Sequence, residues 1–228
     1  MSKQTRASET PVRTRSVSYA GTERRRRPRH ALIYRQDGMR HALQRLRDVA
    51  FASVVLLLAT PVLALAALAI LIEDGGPVIF SQERVGRFER LFTIYKLRTM
   101  RKSDCGDALS PTAAGDSRIT SVGKFLRKTS IDELPQLVNV IRGDMSLVGP
   151  RPEMPFIVRR YERWQHLRHL ATPGLTGLWQ VTCRSTVPLD HPEATALDLD
   201  YIANRSHVFD IRLIVGTVSA LIRPKGAF

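Results

Sequence analysis

Charges of both signs are gathered at fixed spacing in one stretch of this chain, Arg127 to Pro152. Asp132 and Glu133 are adjacent there, with guanidiniums at Arg127 and Arg151 on either side. Carboxylates set beside fixed cations are the residue types of charge-handling chemistry. Ser130 followed three residues later by Glu133 reads as a capping box, which places the pair at the start of a helix whose buried face carries Leu134, Leu137, Val138 and Ile141. An ionised Asp at such a helix start is stabilised by the positive end of the helix and can stay deprotonated. Pro135 falls late for a first turn, which allows the cap to shift by a residue or two. A plain helix start explains a lone Ser-x-x-Glu; the cations around this one argue for more.

The elements that would position the pair are legible on both sides of it. The formal net charge is +14, but residues 1–47 carry 13 Lys/Arg against 3 Asp/Glu, and the remaining 181 residues carry 22 against 18. The basicity therefore belongs to an N-terminal arm, residues 1–38, rich in Arg, Ser, Thr and Pro and too poor in apolar residues to form a core; it reads as disordered. A basic arm beside an apolar run suits anionic lipid better than a nucleic-acid duplex. Val49 to Ile72 contains no charged residue. As a straight helix it would be about 36 Å long, enough to cross a hydrocarbon core of about 30 Å. It starts too far into the chain, and is too long, for a cleavable signal peptide. Pro61, after Thr60, removes a donor at the midpoint and predicts a kink there. Two halves of about 18 Å each also suit a hairpin that dips into one leaflet and returns. Arg40, Arg45 and Arg47 before the run, and Arg84, Arg87, Arg90 and Lys96 after it, put positive charge on both flanks, which favours the hairpin. Cys105 and Cys183 are far apart and without metal-ligand neighbours, as expected of a reducing compartment.

Beyond the turn Glu73-Asp-Gly-Gly-Pro77, residues 78–86 and 91–100 read as two short strands around a Gly-containing turn. In the second, Lys96 and Arg98 share one face, which by itself is a solvated strand face. Residues 101–118 read as a mobile loop. Pro155 to Leu170 reads as an amphipathic helix, and its His166 and His169, with no Glu in zinc-site placement, read as surface or interfacial residues rather than ligands. Thr172 to Arg184 reads as a Gly-rich turn into a short apolar strand. Asp198 to Ile222 reads as one helix with an apolar second half, suited to core packing or to a membrane surface. Phosphate-loop, dinucleotide-binding, serine-hydrolase and zinc-protease motifs are absent; Arg118 stands where a phosphate loop ending at Gly123-Lys124 needs its first Gly.

Five ordered blocks resemble the bacterial sugar transferases: Pro77–Gly86, Tyr95–Met100, Ser130–Gln136, Gly143–Pro152 and Pro173–Gln180. More narrowly, they resemble the monotopic phosphoglycosyl transferases that begin exopolysaccharide, O-antigen or glycoprotein glycan assembly. The resemblance covers residues 40–228 and implies the minimal catalytic form, without the multi-helix extension of larger relatives. It implies an α+β fold: a re-entrant membrane helical hairpin at 39–74, kinked at Thr60 and Pro61, and a mainly helical cytoplasmic domain with a small β element at 75–228. The implied reaction transfers sugar 1-phosphate from a UDP-sugar to undecaprenyl phosphate at the cytoplasmic face of the bacterial inner membrane. Asp132 would be the nucleophile, forming an aspartyl phosphosugar, and Glu133 would assist proton transfer or help hold a metal. Mg²⁺ is the expected ion, bound by Asp132 and Glu133, because hard carboxylate and phosphate oxygens are its preferred ligands. Lys96, Arg98, Arg127, Arg151 and Arg184 are the candidate phosphate and carboxylate clamps. Membrane lipid is an expected partner, nucleic acid is not, and a homodimer stays open. Two other readings stay open as well: a non-enzymatic membrane-anchored protein whose basic arm binds nucleic acid or anionic lipid, and a transferase working through a ternary complex with no covalent step.

Overall fold

The uncharged run folds as part of a long helix, α1 (Gly38–Asp74), with Pro61 inside it. The structure, a computed structural model, describes residues 38–101, 116–183 and 187–222. Arg184 and Cys105 lie outside the described residues, as do the arm (1–37) and most of the expected loop (102–115). One narrow seam of α1 is withdrawn from water: Asp48, Ala52, Ala66 and Ile70 are buried, with Val55, Leu56 and Leu63 packed beside them. These positions recur every three or four residues, the period of one helix face. Leu46, Leu57, Leu58, Leu65, Leu68 and Ile72 occupy the rest of the circumference and are exposed, an apolar surface of the kind that meets lipid. From His41 to Asp74 the helix is long and apolar enough to cross a membrane.

Polar side chains tie both ends of α1 to the rest of the protein. Near its start, Arg45 donates to the carbonyls of Val140 and Ile141, and Asp48 accepts from the Ser146 hydroxyl and the Leu147 N–H. At its end, Glu73 accepts from the N–H groups of Ser121 and Val122 at 2.7 and 2.9 Å, and Arg98 pairs with Asp74 at 3.0 Å. The expected hairpin of two half-helices is not seen as two elements, since helical backbone continues through Pro61. The ladder is nonetheless weakest there: Pro61 has no N–H to give, and Thr60 Oγ1 bonds back to the Leu56 carbonyl at 2.9 Å.

The two expected strands form an antiparallel hairpin, β1 (Ile79–Val85) and β2 (Leu91–Leu97), in register from Ile79↔Leu97 to Val85↔Leu91. Its turn, Arg87–Glu89, is a 3₁₀ turn holding Phe88 and Glu89 at positive φ (56° and 61°). Then come α2 (Ser121–Thr129), a 3₁₀ turn (Ile131–Gln136) and α3 (Leu137–Arg142), which stops at Gly143 with φ 98°. Strand β3 (Ser146–Val148) pairs in parallel with β4 (Gly174–Thr176). A Cβ on Gly174 would sit 2.1 Å from the Gly149 nitrogen, so the two segments approach more closely than any side chain allows.

Three segments differ from the sequence reading. Pro155 to Leu170 is not one helix but a single turn, α4 (Pro155–Val158), then a 3₁₀ segment (Gln165–Leu170). The apolar residues after Gly177 form a short helix, α5 (Leu178–Thr182), rather than a strand. The last helix is two, α6 (Pro192–Asn204) and α7 (His207–Ile222), parted at Arg205, whose ψ of 135° is extended. In the first and third the apolar spacing marked a buried face but not the break, which the packing imposes; in the second a short apolar run fitted strand and helix alike.

Two apolar clusters hold these elements. One gathers Ile94, Leu137, Val140, Met145, Leu147, Val148, Tyr201 and Leu213 around Ala52 of α1. The other gathers Leu97 and Leu126 around Ala66 and Ile70. Strand β2 thus feeds Ile94 to one cluster and Leu97 to the other. The described architecture is mostly helical with two small two-stranded sheets, as the α+β reading expects.

Candidate active site

Asp132 and Glu133 do sit at a helical start, but not through a capping box. Ser130 closes α2 in the left-handed conformation (φ 55°, ψ 18°), its side chain makes no cap, and the segment that follows is the 3₁₀ turn. The Glu133 carboxylate turns away from Ser130 toward two cations. Lys96 Nζ from β2 and Arg151 Nη2 from the loop after β3 both donate to its Oε1 at 2.8 Å. Arg151 is aimed by the segment just before it, where the Gly149 N–H donates to the Thr176 carbonyl and the Pro150 carbonyl accepts from Gly174. Arg127, in the last turn of α2, donates through Nε to Thr99 Oγ1 at 2.8 Å and stands close enough to Asp132 to act on its charge.

The two carboxyls titrate in opposite directions. Burial works against ionising Glu133, but Arg151 and Lys96 outweigh it and hold this carboxyl well below the usual range. Asp132 is 8% exposed. Burial and the neighbouring Glu133 charge push it up to about 6, only partly offset by Lys96, Arg127 and Arg151. The expectation that Asp132 is deprotonated through a helix terminus is thus corrected: its ionisation depends on side chains brought in from elsewhere. Among the described residues no hydrogen bond or ion pair engages the Asp132 carboxylate. Glu133 is a held anchor whose carboxyl is kept below the usual range; Asp132 is a hemmed-in carboxylate with its oxygens uncommitted.

Of the five predicted clamps, Lys96, Arg127 and Arg151 surround the pair. Arg98 does not. Its guanidinium grips the carbonyls of Asp74, Gly75 and Gly76 and the Asp74 carboxylate, closing the end of α1. It is a structural tie, and the reading of Lys96 and Arg98 as one solvated strand face fails because acidic groups from two different segments cover them. Arg184 lies outside the described residues.

Sequence reasoning passed over Arg84 and Arg168. Arg84, on β1, donates to Gln82 Oε1 at 2.6 Å and to the Pro152 carbonyl at 3.3 Å. Burial and the nearby Arg151 push it down to about 10. It belongs to the Ser-Gln-Glu-Arg block, and its position two residues from Gln82, on the same strand face, was the available signal. Arg168 is buried, pairs with Asp198 at 2.6 Å and donates to the Arg151 carbonyl at 2.8 Å. It steadies the backbone from which Arg151 reaches Glu133. A cavity of about 250 Å³ lies elsewhere, lined by residues that include His41, Arg45, Asp48, Arg87 and Arg205. It shares no residue with the acid pair and its cations, so its size does not make it the seat of the chemistry.

The donor set suits a hard divalent cation. Both recorded contacts of Glu133 fall on Oε1, and Asp132 is uncommitted, which leaves carboxylate oxygens facing a cationic rim. Such a rim weakens a metal ion held by protein alone. It suits one completed by substrate phosphates, as Mg²⁺ sites commonly are.

Comparison with known proteins shows what the chain as a whole is similar to. A family profile described as Bacterial sugar transferase matches residues 39–224. The galactosyl transferase CpsE of Streptococcus agalactiae serotype III is 45% identical over 166 residues, 68% of this chain and 37% of that protein. The UDP-glucose:undecaprenyl-phosphate glucose-1-phosphate transferase of Caulobacter vibrioides is 42% identical over 193 residues, 81% of this chain and 72% of that protein. The exopolysaccharide production protein PSS of Rhizobium leguminosarum bv. phaseoli is 41% identical over 196 residues, 81% of this chain and 98% of that protein. The chain thus spans from about a third to nearly the whole of these relatives.

Proposed function

Because this chain belongs to the bacterial sugar transferase family, we propose that it is a phosphoglycosyl transferase. It moves sugar 1-phosphate from a UDP-sugar to undecaprenyl phosphate, a membrane step of exopolysaccharide or related glycan assembly. The names of the relatives from Caulobacter and Rhizobium support the substrate class and the setting. The observation that carries the chemistry is the contrast within the acid pair, with Glu133 pinned between Lys96 and Arg151 and Asp132 buried and uncommitted.

In this reading an Asp132 oxygen attacks the sugar-bearing phosphorus of the donor. The bond from that phosphorus to the bridging oxygen breaks, its electron pair leaves with UMP, and an aspartyl phosphosugar forms. An oxygen of undecaprenyl phosphate then attacks the same phosphorus and frees the carboxylate. Arg127 and Arg151 stand where charge builds on the phosphoryl oxygens, and in a partly dry site their attraction is stronger than in water. The donor's diphosphate lies beside the same cations that, in its absence, only partly offset the burial of Asp132. Mg²⁺, held by Asp132 and Glu133 together with substrate phosphates, would neutralise the diphosphate.

The attachment of α1 supports a one-leaflet placement. Arg45 and Asp48 at one end, and Glu73 and Asp74 at the other, bond to the same folded unit. A helix crossing the bilayer would put these ends about 40 Å apart on opposite sides, with the charged domain dragged through hydrocarbon between them. A helix bent at Pro61 and re-entering the cytoplasmic face keeps the domain in water and the acid pair near lipid head groups.

Rapid quench with labelled UDP-sugar and no acceptor tests the covalent step. The wild type releases one UMP per active site and retains the phosphosugar; Asp132→Asn releases none. UMP release by that variant would remove the nucleophile assignment, and absence of the burst in the wild type would favour a ternary complex.

A further inference from the structure

His166 and His169 acquire in three dimensions what the sequence around them lacks, a carboxylate partner. The turn of the β hairpin carries Glu89 against the 3₁₀ segment Gln165–Leu170, and its Oε1 lies 2.8 Å from His166 Nδ1. One donor atom each from Glu89, His166 and His169 fall within 4.8 Å of one another. Ligands around a tetrahedral zinc ion stand about 3.4 Å apart, given metal–nitrogen distances near 2.1 Å. The cluster needs to contract by only about 1.4 Å at most, and Glu89, whose side chain is 53% exposed, has room to move.

A solvated hydrogen bond accounts for Glu89 with His166, but not for the third member. His169 is 7% exposed, and its Nδ1 is buried without a well-formed hydrogen bond, although the backbone of His166, three residues before it, also acts on the ring. A buried polar atom left unmatched is costly unless something satisfies its ring. Both imidazoles pack on one phenol: Tyr161 stacks on His169 with centroids 6.1 Å apart and meets His166 edge-on at 5.8 Å. Two imidazoles held by an aromatic wall, with a movable carboxylate opposite, match the ligand preference of zinc and its borderline neighbours rather than of magnesium.

We propose that Glu89, His166 and His169 form a binding site for a borderline divalent cation of the zinc class, distinct from the acid pair. The ion replaces the proton shared by His166 and Glu89 and cross-links the hairpin turn to the segment bearing Arg168. Tyr161, packed on both imidazoles, accepts a hydrogen bond from Arg168, which in turn donates to the Arg151 carbonyl. The site therefore buttresses the backbone that aims Arg151 at Glu133.

The test titrates the untagged full chain in detergent with Co²⁺, read by its d–d absorption, and with Zn²⁺ by competition. One ion per chain with nitrogen ligation is expected, weakened at least tenfold in Glu89→Gln and in His166→Gln, and unchanged in Asp132→Asn. Both altered side chains are partly exposed, so these variants retain the fold. Hydrogen exchange gives a second readout: Zn²⁺ slows amide exchange at 87–91 and 165–171 in the wild type and not in the variants. No stoichiometric binding, binding untouched by the Glu89 and His166 variants, or binding lost only with Asp132 each overturns the assignment. None of these readouts depends on transferase turnover, so the site stands or falls separately from the proposed reaction.

Discussion

Replacing Asp132 with Asn removes a carboxyl that burial, reinforced by Glu133, has raised from 3.8 to about 6. A raised folded-state value means that the native protein holds this proton more tightly than the unfolded chain does. Its contribution to stability therefore declines as pH rises from about 4 to about 6, and the whole cost of ionisation is present above that. Roughly two units, at about 1.4 kcal/mol each, amount to about 3 kcal/mol. For a chain of this size that corresponds to a Tm difference of roughly 6–12 °C. Asn has nearly the same shape and cannot ionise, so the variant should melt later than the wild type at pH 8, with the gap closing near pH 4. Thermal unfolding in detergent with EDTA, followed by intrinsic fluorescence across that range, measures it. Added Mg²⁺ should narrow the gap by stabilising the wild type, which alone keeps both carboxylates. A variant no more stable than the wild type at pH 8, or a gap that ignores pH, would show that Lys96, Arg127 and Arg151 outweigh burial. The account of Asp132 as a carboxylate kept at a cost to folding would then fail.

Glu133→Gln should do the opposite, because Lys96 and Arg151 lose the charge that holds them; removing one partner of a buried pair costs about 3–5 kcal/mol. Glu133 is depressed below the ordinary carboxylate value, so its stabilisation persists at neutral pH and disappears only as acid reaches its folded-state value, a loss that acid titration of Tm detects in the wild type and not in the variant. Single-turnover UMP release should rise with pH to half its maximum near about 6, as Asp132 ionises; a flat profile from pH 4.5 to 8 counts against Asp132 as nucleophile. Arg98→Ala should lower stability by about 2–3 kcal/mol by leaving the end of α1 without its cation, with donor KM unchanged; a large rise in KM would return Arg98 to the phosphate clamp. Deletion of residues 1–38 should preserve turnover while membrane retention weakens at high salt, and loss of activity in the truncated chain would favour the reading in which the arm is the functional part.

The parts of this protein read from the sequence are those governed by near neighbours. An uncharged run from Val49 to Ile72 is enough to predict an apolar helix, and alternation around a Gly-containing turn is enough to predict the β1–β2 hairpin. Adjacent Asp132 and Glu133 stand out because covalent continuity alone keeps them together. The helix breaks near residues 159–164 and at Arg205 were invisible, since an apolar face at helical spacing is compatible with both a continuous helix and two shorter pieces packed on the same core.

What each charge does was settled by the tertiary structure. Lys96, Arg98 and Arg151 look interchangeable along the chain, yet folding delivers the first and third to Glu133 and commits Arg98 to the carbonyls that end α1. The same packing makes neighbouring carboxyls titrate in opposite directions and brings Glu89 to two histidines far along the chain. Residue type and spacing specify which groups exist and which local elements carry them. Electrostatic energy depends on distance through space and on loss of water, and those quantities acquire values only once the chain has closed on itself.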